Sequence, residues 1–159
     1  MKFIDQLKEK AKQNKKTIVL PETSDMRTIE AAGKVLAEGI ANIILVGDKE
    51  DIMSRAGDID LSGASFVDPK NYEKFDEYVD AFVEMRRKKG MTEARAKELL
   101  LTNPLYFGCM MVKQDDADGM VAGAINASAD VLRAALQTLK TAPGTRIVSA
   151  FFLVVLPDC

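Results

Sequence analysis

Short apolar runs alternate with longer amphipathic stretches along this chain. Apolar residues recur every three or four positions in the amphipathic stretches, which is the period of an α-helix. Helices are therefore predicted at about residues 2–14, 25–38, 48–56, 72–89, 92–101, 104–113 and 129–140. The apolar runs predict strands at about residues 17–20, 42–46, 64–67, 119–123 and 146–156.

This order of elements indicates an α/β protein. Strands that are apolar on both faces must be covered on both, as they are in a parallel sheet between two layers of helices. The sequence predicts a three-layer α/β sandwich with a mostly parallel sheet. We expect residues 1–144 to form a first domain and residues 145–159 to begin a second, because a buried strand at Arg146–Leu156 would need partners that the chain does not supply.

Polar residues follow two of the predicted strands. After the first strand, Thr23, Ser24 or Asp25 can cap the next helix, which Gly39 is expected to end. Ligands of open α/β sheets bind where strands end and helices begin. We therefore expect this loop to converge with the turn that follows Gly123.

The turn from Gly123 to Arg133 is a candidate anion site. Ser128 and Asp130 are expected to cap the helix that opens there, and Arg133 lies one turn inside it. Free N–H groups, a hydroxyl and a guanidinium together suit a phosphate. A plainly capped helix without a ligand is the alternative. The pattern is neither a G-x-G-x-x-G motif nor a P-loop.

A basic run and two cysteines are the other candidate features. Arg86–Lys89 lies at a helix C-terminus, where it either faces solvent or binds a phosphate of a large anion. Cys109 lies among apolar residues and is expected in the core, whereas Cys159 follows a predicted strand and is expected to line a pocket. We do not expect Cys159 to be a nucleophile, because no residue that would activate its thiol is evident.

Composition and charge exclude several kinds of partner and of active site. The 159 residues are 47% hydrophobic and 29% charged, with a net charge of −2, so nothing calls for nucleic acid or an anionic membrane as a partner. No secretory signal and no run long enough to span a bilayer is visible, and two unpaired cysteines suit the cytosol. The absence of histidine excludes a histidine-dependent triad or metal site within the chain.

Five segments resemble, in order and without large gaps, the motifs of one enzyme family. They are Thr17–Thr23 with Arg27, Ile43–Gly47, Met85–Met91, Ala122–Gln137, and Ser149–Phe152 with Pro157–Cys159. The family is phosphate acetyltransferase, and the resemblance covers the whole chain. The related phosphate butyryltransferases share the fold but match less closely.

The resemblance implies reversible acyl transfer, in which acetyl-CoA and inorganic phosphate give acetyl phosphate and CoA. It implies a cytoplasmic homodimer with two α/β domains per subunit, an active site between them, and a fold similar to that of isocitrate and isopropylmalate dehydrogenases. It further implies direct attack in a ternary complex, with a carboxylate as base on the thiol and no metal or prosthetic group.

Individual residues match family positions. Arg27 matches the arginine after the Pro-Glu-Thr loop, and Arg86 and Arg133 match arginines associated with CoA. Ser128 matches a hydroxyl near the acyl-phosphate site, and Cys159 matches a cysteine near the CoA pocket that is not a nucleophile. We expect the three guanidinium groups to meet around one anionic ligand.

The main departure from the family is length. The serine, arginine and aspartate that act on the thiol in the family lie in a C-terminal half that this sequence does not contain. We therefore expect an N-terminal portion that is inactive on its own. Two other hypotheses stay open: a phosphate butyryltransferase or other short-chain acyltransferase, and a non-catalytic nucleotide-binding or regulatory module.

Overall fold

A four-stranded sheet lies at the centre of the described part of the chain. The computed structural model describes residues 3–155, and within them all three strand pairings are parallel, in the order β3-β2-β1-β4. The strands are β1 (Thr17–Leu20), β2 (Asn42–Val46), β3 (Ser65–Val67) and β4 (Gly119–Met120). The predicted parallel sheet is confirmed, although β4 is shorter than the 119–123 run predicted for it.

Seven α-helices surround the sheet in the described part of the chain. They are α1 (Phe3–Gln13), α2 (Met26–Glu38), α3 (Lys49–Ala56), α4 (Phe75–Arg86), α5 (Glu93–Thr102), α6 (Pro104–Lys113) and α7 (Ser128–Thr138). A short 3-10 turn at Arg87–Lys89 continues α4 and ends at Gly90. None of the helices described is both long enough and apolar enough to cross a bilayer.

The two faces of the sheet carry separate apolar clusters. Alternate side chains of β2 point to opposite faces, so Ile43 and Leu45 pack with α2 and α3, while Ile44 and Val46 pack with α4, α5, α6 and α7. Both clusters contain residues that are fully buried, such as Ile29 on the first face and Phe107 on the second. This arrangement confirms the predicted three-layer sandwich.

Most helix ends follow the predicted capping chemistry. Asp25 caps α2 by accepting the N–H of Arg27, and Gly39 ends that helix with a left-handed backbone at φ 67°. At α7 the prediction was wrong, because Ala127 is the N-cap residue and none of the described side chains caps the helix. Ser128 already lies inside the first turn, where its hydroxyl cannot act as the cap.

The strand predicted at Arg146–Leu156 is not formed over the residues that are described. Residues 146–155 have no regular secondary structure, and Phe151 and Phe152 are 89% and 95% exposed. A strand requires a hydrogen-bonded neighbour, and no described strand pairs with this segment. Leu156 lies outside the described residues, and the division into domains at residue 144 stays a prediction.

A polar network joins α4 to the segment after α6 on the second face. The Asp116 carboxylate accepts hydrogen bonds from the Tyr78 hydroxyl, from the Lys74 ammonium and, at 3.2 Å, from the Tyr72 hydroxyl. Tyr78 is fully buried, and burial together with the bond to Asp116 raises its pKa. The ring of Phe107 packs against both tyrosines, with centroid distances of 5.7 and 5.6 Å.

We expect Asp116→Ala to destabilise the fold, because it leaves the buried Tyr78 hydroxyl without its acceptor. The free energy of unfolding in urea should fall by about 2–3 kcal/mol, the cost of an unsatisfied buried group with charge-assisted bonds. Glu73→Ala, at an exposed carboxylate nearby, should change it by less than about 0.5 kcal/mol. Equal effects of the two substitutions would contradict this assignment.

Candidate functional site

The loops after β1 and β4 meet at the carboxyl edge of the sheet. The two strands are parallel neighbours, and Val19 pairs with Met120. Glu22 lies three residues after Val19, and Gly123 lies three residues after Met120. The register of the two strands therefore brings Glu22 and Gly123 side by side beyond the end of the sheet. The predicted convergence of the two loops is therefore confirmed.

The Glu22 side chain fills the centre of this convergence. The N–H groups of Gly123 and Ala124 each donate to its Oε2 at 2.6 Å. The N–H groups of Ile125 and Asn126 donate to Oε1 at 3.2 and 2.9 Å, and the Asn126 side-chain amide donates at 2.7 Å. We call these four consecutive N–H groups the amide nest. The sequence predicted a site for an external anion such as phosphate at this turn, whereas in the structure the chain's own carboxylate occupies the amide nest.

The amide nest holds Glu22 in its charged form. Glu22 is only 2% exposed, and burial alone would raise its pKa. The hydrogen bonds from Asn126, Ala124 and Ile125 outweigh that effect and lower the pKa from 4.5 to about 2. The carboxylate is therefore a fixed negative charge over the whole physiological range of pH.

The loop that carries Glu22 is itself tied to the next strand. Thr23 donates from its hydroxyl to the Val46 carbonyl at 2.6 Å, at the end of β2. Arg55 of α3 donates to the Thr23 carbonyl at 2.7 Å. Glu22 and Thr23 are both buried, so the position of the carboxylate is set by β1, β2 and α3 together.

Arg27 contacts the same β4–α7 loop from the start of α2. Its guanidinium donates to both oxygens of Asp25, at 3.0 and 2.8 Å, and also to the Ala124 carbonyl. Hydrogen bonds with Arg27 lower the pKa of Asp25. Arg27 and Glu22 line one small pocket of about 200 Å³.

A second, larger cleft lies between the helices of the opposite layer. It has a volume of about 420 Å³, and four of its lining side chains are cationic while one is a carboxylate. We call it the basic cleft. Its charged lining residues are Arg86 from α4, Lys89 from the 3-10 turn, Arg95 and Glu98 from α5, and Arg133 from α7.

One donor of Arg86 is buried. Its Nε has no hydrogen-bond partner among the described residues, which is costly. An atom without accessible surface does not itself bind a ligand in the cleft, so it is the positive charge of the lining side chains that suits an anion there. Arg133 instead donates to Asp130 of its own helix, which leaves its remaining N–H groups at the cleft.

Tyr106 shows that the two arginines lie close together. Its hydroxyl donates to the Gln137 side chain at 3.1 Å. Burial raises its pKa, and the positive charges of Arg133 and Arg86 act in the opposite direction. The phenol thus lies within the electrostatic reach of both guanidinium groups, at the floor of the basic cleft.

The structure brings together two of the three arginines that were expected to meet. Arg86 and Arg133 share the basic cleft, whereas Arg27 lines the other pocket. Ser128 is exposed at the first residue of α7, and Cys159 lies outside the described residues. The ligand roles of these residues stay predictions.

Sequence reasoning missed Arg95 and the role of Glu22. Only the 3-10 turn Arg87–Lys89 and the three residues 90–92 separate α4 from α5, so a residue early in α5 returns to the side of Arg86. That short connection was a usable signal for Arg95. No local signal identified Glu22, because its partners lie more than 100 residues away.

In residues 3–155 no three metal-ligating side chains come together.

Comparison with known proteins gives a consistent result. Residues 2–159 match the family described as Phosphate acetyl/butaryl transferase. A phosphate acetyltransferase of Acetivibrio thermocellus is 52% identical over 159 residues, which are all of this chain and 48% of that protein. One from Escherichia coli K12 is 40% identical, over 98% of this chain and 22% of that protein.

Solved structures agree with these matches. The chain resembles the EutD phosphotransacetylase from Staphylococcus aureus with a TM-score of 0.81 and 38% identity. It resembles a phosphotransacetylase from Streptococcus pyogenes with a TM-score of 0.82 and 37% identity. Each likeness covers 91% of this chain and 44% of the other. The chain thus spans about half the length of the relatives that are 52% identical to it, and 22% of the Escherichia coli protein.

We expect Glu22 to stabilise the fold at neutral pH and to lose that contribution in acid. Its pKa is about 2 in the folded chain against 4.5 ordinarily, so the unfolded state takes up the proton first as pH falls. The stabilisation is complete above pH 4.5, where it amounts to about 3 kcal/mol, and disappears as pH falls through about 2. Urea unfolding of wild type and Glu22→Gln between pH 7 and 2.5 should show their stability difference shrinking towards low pH.

The matched control is Glu30→Gln, which removes the same charge from an exposed position in α2. Its stability should stay close to that of the wild type at every pH. A difference between wild type and Glu22→Gln that does not change with pH would contradict the role of the charge.

Proposed function

Because the chain belongs to the phosphate acetyl/butaryl transferase family, we propose that it forms part of an enzyme that transfers an acetyl group reversibly between CoA and inorganic phosphate. Acetyl-CoA and phosphate give acetyl phosphate and CoA in this reaction. The observation that carries the proposal for this chain is the basic cleft, which four cationic side chains line against one carboxylate.

The chemistry of CoA suits the basic cleft. CoA carries a diphosphate and a 3′-phosphate, and four cationic side chains against one carboxylate attract such a ligand. A guanidinium offers paired donors in a planar fork that matches two phosphate oxygens. We propose that Arg86 and Arg133 bind phosphate oxygens of CoA, with Arg95 and Lys89 adding positive charge.

The remaining candidates have weaker support. Arg27 and Ser128 are proposed to contact the phosphate or acyl-phosphate end of the substrates, on the strength of the family motifs alone. The Arg27 guanidinium already bonds Asp25 and Ala124, so a ligand would compete with those contacts or add to them. Cys159 is proposed near the CoA pocket and not as a nucleophile.

The proposed chemistry is direct attack without a covalent enzyme intermediate. A phosphate oxygen attacks the thioester carbonyl carbon, the carbon–sulfur bond breaks, and CoA leaves as the thiolate. In the reverse direction the thiol gives up its proton to a carboxylate, the thiolate attacks the carbonyl carbon of acetyl phosphate, and the carbon–oxygen bond breaks as phosphate leaves. We propose that this base and its partners belong to the part of the relatives that this chain does not span, and that no metal or prosthetic group takes part.

The proposal extends to the assembly and to the acyl group. A cytoplasmic homodimer is proposed for the full-length enzyme from the family resemblance. Acetyl is favoured over butyryl because the relatives described above are phosphate acetyltransferases. No observation on the described residues favours a regulatory module.

We expect the chain to bind CoA through the basic cleft, which isothermal titration calorimetry can measure. Arg86→Ala should weaken binding by about tenfold or more, the loss of one charge-assisted hydrogen bond at a partly buried group. The same substitution should matter less for a ligand without phosphates, such as pantetheine.

Arg87→Ala is the matched control for this experiment. Arg87 is the next residue, but it pairs with Glu84 on the surface and does not line the cleft. CoA affinity should be unchanged by it. If both substitutions weaken CoA binding equally, the cleft is not the CoA site.

We expect this chain alone to show no acetyl phosphate-dependent formation of acetyl-CoA. The reason is the absence of the proposed base, and the measurement is a coupled assay with CoA and acetyl phosphate at saturating levels. A full-length phosphate acetyltransferase relative serves as the positive control. Turnover by the 159-residue chain would place the base among its own residues.

A further inference from the structure

We propose that Glu22 is a positioning residue, an internal anion that fixes the β4–α7 loop and thereby sets the place of Arg133 in the basic cleft. The effect on ligand binding rests on the proposed function, because it supposes that Arg133 binds CoA. The anchoring of the loop itself rests only on the contacts of the Glu22 carboxylate.

The amide nest requires an anion at its centre. Four consecutive N–H groups, from Gly123 to Asn126, point at one carboxylate. Their dipoles repel one another unless a negative charge lies between them. Gly123 permits this backbone with φ at 108°, a region that residues with a Cβ rarely adopt, although a Cβ there would meet open space.

Little else fixes the polar groups of this loop. Val121 donates to the Val19 carbonyl at 3.1 Å, which is where pairing to β1 ends. Beyond that, the side-chain hydrogen bonds that hold the loop in the described structure are those that Glu22 accepts and the one that Arg27 donates, and α7 has no side-chain cap there. The Glu22 carboxylate accepts hydrogen bonds from N–H groups of the loop, and the Arg27 guanidinium donates to one of its carbonyls. An anion and a cation thus hold the same loop.

The position of the loop sets the start of α7, which carries Arg133 of the basic cleft. Asn126, the last nest residue, is two positions before the start of α7 at Ser128. Arg133 lies about 7.5 Å further along the helix axis, at 1.5 Å per residue. Its guanidinium is tied to Asp130 of the same helix, so it moves with α7 when the start of the helix moves.

This arrangement makes a positive test possible. Glu22→Ala removes a methylene and a carboxylate, which together have the shape of acetate, from a buried position. The variant should therefore contain a cavity lined by N–H donors that binds acetate or formate from solution. A residue that merely fills space would leave a cavity without affinity for anions.

The experiment measures thermal unfolding with sodium acetate or formate against sodium chloride at equal ionic strength. Glu22→Ala should melt about 5–10 °C below the wild type and recover part of that loss, saturably, with acetate. The wild type and Glu22→Gln should not respond, because a side chain already occupies the site. Absence of a saturable response in Glu22→Ala overturns the proposal.

CoA titrations of the same proteins separate positioning from simple stabilisation. Glu22→Ala should bind CoA about tenfold more weakly, and acetate should restore the affinity. If the wild type does not bind CoA at all, the proposed function fails while the acetate response of the melting temperature still tests the anion role. Acetate that restores stability but not CoA affinity overturns the positioning role.

A second measurement covers the case in which Glu22→Ala does not fold. In NMR spectra of the wild type, the amide protons of residues 123–126 should resonate at low field because they bond a carboxylate. In Glu22→Gln, which keeps the shape but not the charge, these signals should move upfield, and so should those at the start of α7. Unchanged shifts would overturn the proposal.

Discussion

The contact between the Glu22 carboxylate and the backbone of residues 123–126 holds the functional edge of this fold together. It exists because β1 and β4 are parallel neighbours, so their carboxyl ends lie side by side. β4 is only two residues long and contributes little pairing of its own. A buried ionic contact at the end of such a short strand supplies the constraint that the ladder lacks, because a buried charge is tolerated only in one well-paired geometry.

The helices on the other face of the sheet bring four cationic side chains together in the basic cleft. Arg86, Lys89, Arg95 and Arg133 come from three helices and one turn, and their mutual repulsion has to be tolerated in the absence of a ligand. Exposure of most of these side chains and the pairing of Arg133 with Asp130 limit that repulsion. Among the residues that the structure describes, the buried Nε of Arg86 has no hydrogen-bond partner. Positive charge gathered in this way is stabilised by an anionic partner.

The sequence predicted those features that depend on neighbours along the chain. The positions of the first four strands, a polar cap among Thr23, Ser24 and Asp25, and the Gly39 end of α2 follow from patterns a few residues long. The cap of α7 was predicted wrongly because Ser128 and Asp130 form a capping pattern, whereas the groups before the helix bond a residue about 100 positions earlier. The segment 146–155 is apolar enough for a strand, but a strand also depends on a partner, and apolar composition alone says nothing about that. Arg86 and Arg133 were predicted as ligand residues, and only the packing of α4 against α7 shows that they share a cleft.

Because the Glu22 carboxylate occupies the backbone donors of the amide nest, these donors are not free for an external anion. A phosphate loop binds its ligand with backbone N–H groups, which are the donors that Glu22 already occupies. An incoming phosphate would have to displace a buried carboxylate that five hydrogen bonds retain. Side chains must then supply the donors for any external anion, and arginine is the residue best suited to that task. The backbone donors of the β4–α7 loop therefore serve the fold, while the cationic side chains are concentrated at the basic cleft, in a sequence that has no glycine-rich phosphate motif.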